Sequence, residues 1–257
     1  MAPLNLPTVG DLGVRGCLYL AALLAAQERR LPIAPTRRVA LTVLDVLRNL
    51  RLIKVPWPES RWEIQPQAQI TPIEGLQWRY CWGNSVAEGL LIVLEDHLQS
   101  QVRDDSDLAI RTELWRELAL AEAERFFEWQ LGRHQFDPVW AQDLMFVHRD
   151  CPSTLSIAQW RYCCWAATRH GASVAQQQRV LDPAAIREAV YSELRRRAKN
   201  VGTGSWLKCA LPPFNPLPES ALGQLMALRL LSSAEIYWSS PPVMEKLVSH
   251  MPVDPCA

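Results

Sequence analysis

The sequence predicts a mainly α-helical protein, and three observations carry that prediction. Glycine is scarce, 11 of 257 residues, about 4% against a usual value of about 7%. This argues against turn-rich sandwiches and barrels, and against mechanisms that need glycine-rich phosphate loops. Proline is abundant, with 19 residues, and stands between apolar runs, where it gives helices sharp starts. Apolar residues make up 49% and recur in several stretches with a period near that of an α-helix. That fraction is enough for a core, so a wholly disordered chain is excluded.

From the N-terminus, Asp11 can cap a strongly apolar helix over Leu12 to Ala26. Its apolar residues surround the axis, which predicts burial. The longest uninterrupted apolar run, Cys17 to Ala26, is ten residues. A membrane-spanning helix needs about 20, so no spanning segment is expected. The run has the length of a signal-peptide core, but Gln27-Glu28-Arg29-Arg30 continues the helical pattern and favours a folded helix. Leu31 to Pro35 then breaks the chain, and Thr36 caps a second helix. Val39, Ala40, Val43, Leu44, Val46, Leu47 and Leu50 form its apolar stripe; Arg38, Thr42, Asp45 and Asn49 share the opposite face.

Two short extended segments follow, Leu52 to Trp57 and Arg61 to Gln65, with Pro58-Glu59-Ser60 as a turn. Thr71-Pro72-Ile73-Glu74 has the capping-box pattern and predicts a helix to about Trp82. Ser85 with Glu88 repeats that spacing and opens a helix to about Gln101. A long helix is expected over Asp107 to His134. Asp137-Pro138 and Asp182-Pro183 each pair a capping carboxylate with proline at the first helical position, opening helices over 138–148 and 183–200. Between them Ser156 starts a helix through Ala175, loosened at Gly171, and Gly202 fits a C-terminal cap. Leu211 to Pro218 holds four prolines and reads as a rigid linker before two last helices over 219–232 and 242–250.

Net charge is zero, with 27 cationic and 27 anionic side chains. The distribution is uneven. Residues 1–82 carry 10 cations and 6 anions, 83–130 carry 4 and 11, and 131–200 carry 10 and 6. The chain is therefore no uniform polycation, but it can present local basic faces. The seven cysteines are odd in number and too sparse for a disulfide scaffold, which points to a reducing, cytoplasmic setting.

Several chemistries lack their local spacing. No Cys-x-x-Cys, His-x-x-x-His or Glu-x-x-His occurs, so neither a metal nor another cofactor is expected. Glu113, Glu117, Glu124 and Glu128 lie along one side of the long helix and read as a solvated face. His148-Arg149-Asp150 copies a kinase triplet without the glycine-rich loop. Cys163 and His170 share a helix face, but about 10 Å along the axis is too far for proton transfer. No catalytic residue is assigned, and a non-enzymatic protein is expected. One echo is present: Gln77-Trp78-Arg79-Tyr80-Cys81 recurs at Gln159-Trp160-Arg161-Tyr162-Cys163. It reads as two core helices with similar residues, or as a duplicated helical module.

The passage from Val43 through Leu44-Asp45-Val46-Leu47-Arg48-Asn49-Leu50-Arg51-Leu52-Ile53-Lys54 to Val55 resembles a winged-helix recognition helix running into its wing. Residues 12–66 as a whole give the order helix, link, helix, hairpin. The sequence departs from that family, a branch of the helix-turn-helix superfamily, in having no separate helix over 31–36 and no turn glycine near Arg51. The resemblance implies a small winged-helix-like domain over 1–69, followed by a larger helical domain over 70–210. Residues 211–257 would pack on the latter. It further implies nucleic-acid binding, with duplex DNA as the expected partner. Arg38, Thr42 and Asn49 would face base edges; Arg37, Arg48, Arg51, Lys54 and Arg61 would neutralise phosphates. A second basic cluster, Arg195, Arg196, Arg197 and Lys199, could add phosphate contacts, and Trp206 could stack on a base or fill a core. Asp45 on the reading face opposes this. The alternative is a scaffold or adaptor subunit whose tryptophan-rich helical faces, near Trp78 or Trp160, bind protein partners.

Overall fold

The computed structural model describes residues 8–55, 77–82, 89–100, 105–151, 154–177, 182–206 and 209–248. Helix accounts for 73% of them and strand for 2%, so the protein is mainly α-helical. The chain divides into two compact units. Unit 1 takes 1–111 and 218–232; unit 2 takes 112–217 and 233–257.

In unit 1, helix α1 (Val9–Arg29) starts with a capping box in which Thr8 is the cap and Asp11 its reciprocal partner. The cap thus lies three residues earlier than the sequence suggests. Gly13, at φ 58°, bends the chain inside the first turns. By length and composition α1 could cross a membrane, but every residue of its apolar run from Cys17 to Ala26 is buried within the unit. Its neighbours are α2 (Arg37–Asn49), α3 (Leu90–Gln99) and α8 (Ala221–Leu225). The last continues into a π-helical turn, Met226–Leu230. That returning segment is tied to the bend after α1 by backbone bonds from Ala221 N to Pro32 O, 2.8 Å, and from Leu222 N to Ile33 O, 3.0 Å. Buried Glu95 of α3 accepts from Arg29 Nη2 at 3.0 Å and from Arg229 of the π-helical turn.

Strand β1 (Ile53–Lys54) pairs antiparallel with β2 (Arg79–Tyr80), in the register Ile53 to Tyr80 and Lys54 to Arg79. This overturns the helical expectation for 77–82. The expected partner strand at 61–65, its turn at 58–60 and the two capping boxes at 71–74 and 85–88 lie outside the described residues. The echo is likewise reinterpreted. Its first copy is extended and its second lies in the helix Ile157–Gln177, so five like residues take two conformations.

Unit 2 holds most of α4 (Asp105–Arg133), then a 3-10 turn Pro138–Gln142, α5 (Asp143–Asp150), α6 (Ile157–Gln177) and α7 (Pro183–Gly202). The expected caps form. Asp137 accepts from Val139 N at 2.9 Å, and Asp182 from Ala184 N at 3.0 Å. Ser156 and Gln159 make a reciprocal box at 3.2 and 2.9 Å. The core joins Phe127, Leu131, Trp140, Leu144, Trp160, Cys164, Val190 and Leu194.

Three further expectations change here. Gly171 does not loosen α6. It leaves room for α7, and a Cβ there would lie 2.3 Å from Val190 Cγ2. Helix α7 runs through Gly202, and the left-handed residue is Gly204, at φ 73°. Glu124 is buried, and so is neighbouring Glu122, which accepts from Tyr237 Oη at 3.2 Å, so that side of α4 is not simply solvated.

The proline-rich segment 211–217 is fastened rather than free. Leu211 N donates to Ala158 O at 2.8 Å, and Trp238 Nε1 donates to Pro216 O. Arg161 donates to Leu211 O at 3.1 Å, and its guanidinium lies 4.1 Å from the Phe126 ring centre and 5.7 Å from that of Trp238. The two last helices expected at 219–232 and 242–250 form, as α8 with its π-helical turn and as a helix over Met244–Val248; a further short helix, α9 (Ala234–Ser239), lies between them and makes the last one α10.

Candidate nucleic-acid interface

Helix α2 forms because Thr36 caps it, accepting from Val39 N at 3.5 Å, and because its apolar stripe has somewhere to go. Val39, Ala40, Val43, Leu44 and Leu47 are buried. The opposite face, Arg38, Thr42, Asp45 and Asn49, is exposed as expected, and so are Arg48, Arg51 and Lys54; Arg37 is half-buried. Asp45 is the one acidic residue between 29 and 55, a stretch that holds seven cations. It is already engaged by Arg48 Nη2 at 2.6 Å and Asn49 Nδ2 at 3.3 Å. Thr42 donates its hydroxyl to Arg38 O at 3.1 Å, leaving the oxygen able to accept.

The helix ends in a two-bond turn. Arg51 N donates to Arg48 O at 2.9 Å and Leu52 N to Leu47 O at 3.0 Å. This is the Schellman arrangement, and its left-handed position normally takes glycine. Here that position is Arg51, at φ 57°. A non-glycine residue in this conformation costs about 1–2 kcal/mol. The chain then enters β1, where Lys54 stands directly opposite Arg79. Both are exposed. Like charges at such a position are destabilising. Arg79 was not singled out from the sequence; only its ladder partner, 25 residues earlier, reveals its place. Tyr80 fastens β2 to α1, its Oη donating to Gln27 Oε1 at 2.6 Å, and stacks on Trp82 at 4.8 Å.

The second cluster lies in unit 2, on the last turns of α7. Arg196 grips Glu193 with two bonds of 2.7 and 2.8 Å, and Arg197 adds one of 2.6 Å. Burial alone would raise the Glu193 carboxyl, but these bonds outweigh it and hold the group below the usual carboxylate range. Arg197 also donates to Tyr162 Oη at 2.6 Å. Both guanidinia lie over the Trp206 ring, 5.3 and 5.4 Å from its centre. Trp206 is therefore a platform for arginines. Arg195 pairs loosely with Asp150 at 3.4 Å, and Lys199 is exposed. The structure thus gathers Arg38, Thr42, Arg48, Asn49, Arg51 and Lys54 with Arg37 in unit 1, and the other four in unit 2. Arg61 lies outside the described residues.

Two other sites read from the sequence change character. Cys163 is fully buried, and that burial pushes its thiol up to about 12, which keeps it un-nucleophilic at neutral pH. Trp160 is buried at 2% exposure and Trp78 is half-buried, so neither offers an open aromatic face. Among the described residues no group of three or more His, Cys, Asp or Glu is placed to hold a metal ion. Comparison with family models, with curated proteins and with solved structures finds no match. The functional reading therefore rests on the residues themselves.

Proposed function

We propose that unit 1 binds duplex DNA through the exposed face of α2 and the β1–β2 ladder. The observation that carries this reading is that Arg38, Thr42, Arg48, Asn49, Arg51 and Lys54 are exposed together on α2 and the start of the ladder, where Lys54 stands opposite Arg79 and cations can share a phosphate. Strained Arg51 stands just before the ladder and adds a third positive charge. Arg38, Thr42 and Asn49 are exposed together and have the donors and acceptors that base edges need. Their helix would enter the major groove in the manner of the winged-helix family, with Arg37 and Arg48 along the backbone. Phosphate neutralisation supplies the affinity, and the α2 face supplies the sequence preference.

A second reading is a protein partner. It is favoured by Trp129 and Phe146 of unit 2, which are 53% and 54% exposed, because large exposed aromatics mark contact surfaces.

Fluorescence anisotropy on a short random duplex, between about 50 and 200 mM salt, tests the first reading. Each phosphate contact contributes about −0.9 to the slope of log K against log salt. An Arg51→Gly/Lys54→Ala/Arg79→Ala variant should therefore flatten the slope by about 2.7. Arg51→Gly also relieves the backbone, so folding is preserved. An unchanged slope, or no binding at low salt, defeats the proposal.

A further inference from the structure

We propose that unit 2 contains a separate binding pocket for a small phosphate monoester, formed between the end of α5 and the last turns of α7. A groove of about 560 Å³ lies there, within the range of small-molecule sites. Ser192, Arg195, Arg196 and Lys199 line one wall. They fall at i, i+3, i+4 and i+7 of α7 and so share one stripe of the helix. Val147 and Ala198, both 1% exposed, give an apolar floor. Asp150 of α5 and the neighbouring Cys151 close the far side.

The four polar groups are prepared to different degrees. Arg196 is held by its two bonds to Glu193 and by the Trp206 ring, so its guanidinium is already oriented. Arg195 is held only by the 3.4 Å contact with Asp150, with both side chains about half exposed or more. Such a pair is worth little, and a dianionic phosphate can displace it. Lys199 supplies a mobile point charge, and the Ser192 hydroxyl can turn from Glu188 Oε1, 2.8 Å away, to a phosphate oxygen.

The pocket fits a compact ligand better than a strand. Its cations are confined to two turns of one helix, and Asp150 opposite them would repel the next phosphate of a continuous backbone. With Arg195 drawn to the ligand, that same carboxylate is free to accept from a hydroxyl or amine on a small molecule.

Isothermal titration of the full chain with inorganic phosphate and with pyrophosphate, at fixed ionic strength, tests this. Duplex anisotropy on the same variants separates the two sites. Lys199→Ala should weaken phosphate binding at least about tenfold, the scale of a charge-assisted hydrogen bond. Asp150→Asn removes the competing carboxylate and should tighten it about twofold to fivefold. Because that variant gains binding, loss of folding cannot mimic the result. The Arg51/Lys54/Arg79 variant should bind phosphate like wild type, which keeps the pocket distinct from the duplex face. Absence of phosphate binding at millimolar concentration overturns the pocket. So does an Asp150→Asn variant that binds no tighter. If Lys199→Ala weakens the duplex alone, the cluster is a strand contact and the pocket is refuted.

Discussion

Replacing Gly171 with alanine should destabilise unit 2, although alanine is the better helix former. In an exposed helix interior the exchange gains about 1 kcal/mol. Here the new Cβ would lie 2.3 Å from Val190 Cγ2, whereas carbon atoms at rest sit about 3.5–4.0 Å apart. One helix must therefore move by more than 1 Å, or Val190 must leave its rotamer. A β-branched side chain in a helix has essentially one rotamer, so the second route is closed. Overpacking of this kind costs about 1–3 kcal/mol, and a clash this deep with a side chain that has no other rotamer belongs at the upper end. The net loss should be about 2 kcal/mol, read as a lower urea midpoint with unchanged slope. Val190→Ala removes the obstructing methyl. In the double variant the clash is gone and alanine at 171 should stabilise the Val190→Ala background by about 1 kcal/mol, a coupling of about 3 kcal/mol. A Gly171→Ala protein as stable as wild type, or additive effects in the cycle, would refute the close approach of α6 and α7.

Other outcomes follow from the same physics. Glu95→Gln should destabilise unit 1 by about 2 kcal/mol, because a buried acceptor for Arg29 and Arg229 loses its charge; a thermal scan reads this. Thr36→Ala should cost about 1 kcal/mol by removing the cap of α2, and circular dichroism during urea unfolding measures it. Asp45→Asn should tighten duplex binding and steepen its salt dependence, since it removes the one acid of that face and releases Arg48. Below pH 9 the Cys163 thiol is protonated in both the folded and the unfolded chain. Above that the unfolded chain loses the proton, while burial keeps it on the folded one up to about pH 12. Stability should therefore fall across that alkaline window, by up to about 1.4 kcal/mol per pH unit for this group. Cys163→Ala should flatten the decline in an alkaline denaturation series.

What could be read from the sequence was what neighbouring residues decide. Thr36, Asp137-Pro138, Asp182-Pro183 and Ser156 are local devices, and each cap forms where its pattern stands. The exposed face of α2 was equally legible, since a 3.6-residue period fixes which side chains share a side. Strand β2 was not. Arg79 and Tyr80 become strand only because β1 supplies their hydrogen bonds, and the same two letters are helical at 161–162. Arg79 was overlooked for that reason. The sequence points to Gly202 as the cap, whereas the left-handed residue is Gly204, because helix ends shift by a residue or two without a local signal. The cations of α7 were visible as a run, but the wall that makes a groove beside them comes from 147–151, and no local pattern joins those stretches.

The order in which the chain is threaded through its two units bears on how the protein is born. Unit 1 closes over α1 with residues 218–232, and unit 2 takes up the chain again from 233. A growing chain that has delivered α1, α2 and α3 still lacks buried Ala221, Leu222, Leu225 and Met226, which come more than 100 residues later. Unit 1 cannot complete its core until residues 218–232 have been made, and unit 2 needs residues beyond 232. The apolar run of α1 lacks that part of its cover throughout the interval, which is the time at which a newly made chain most needs a chaperone. For the same reason, cutting the protein between 111 and 112 would leave the first piece without 218–232, and the second would carry that apolar segment without the helix it covers.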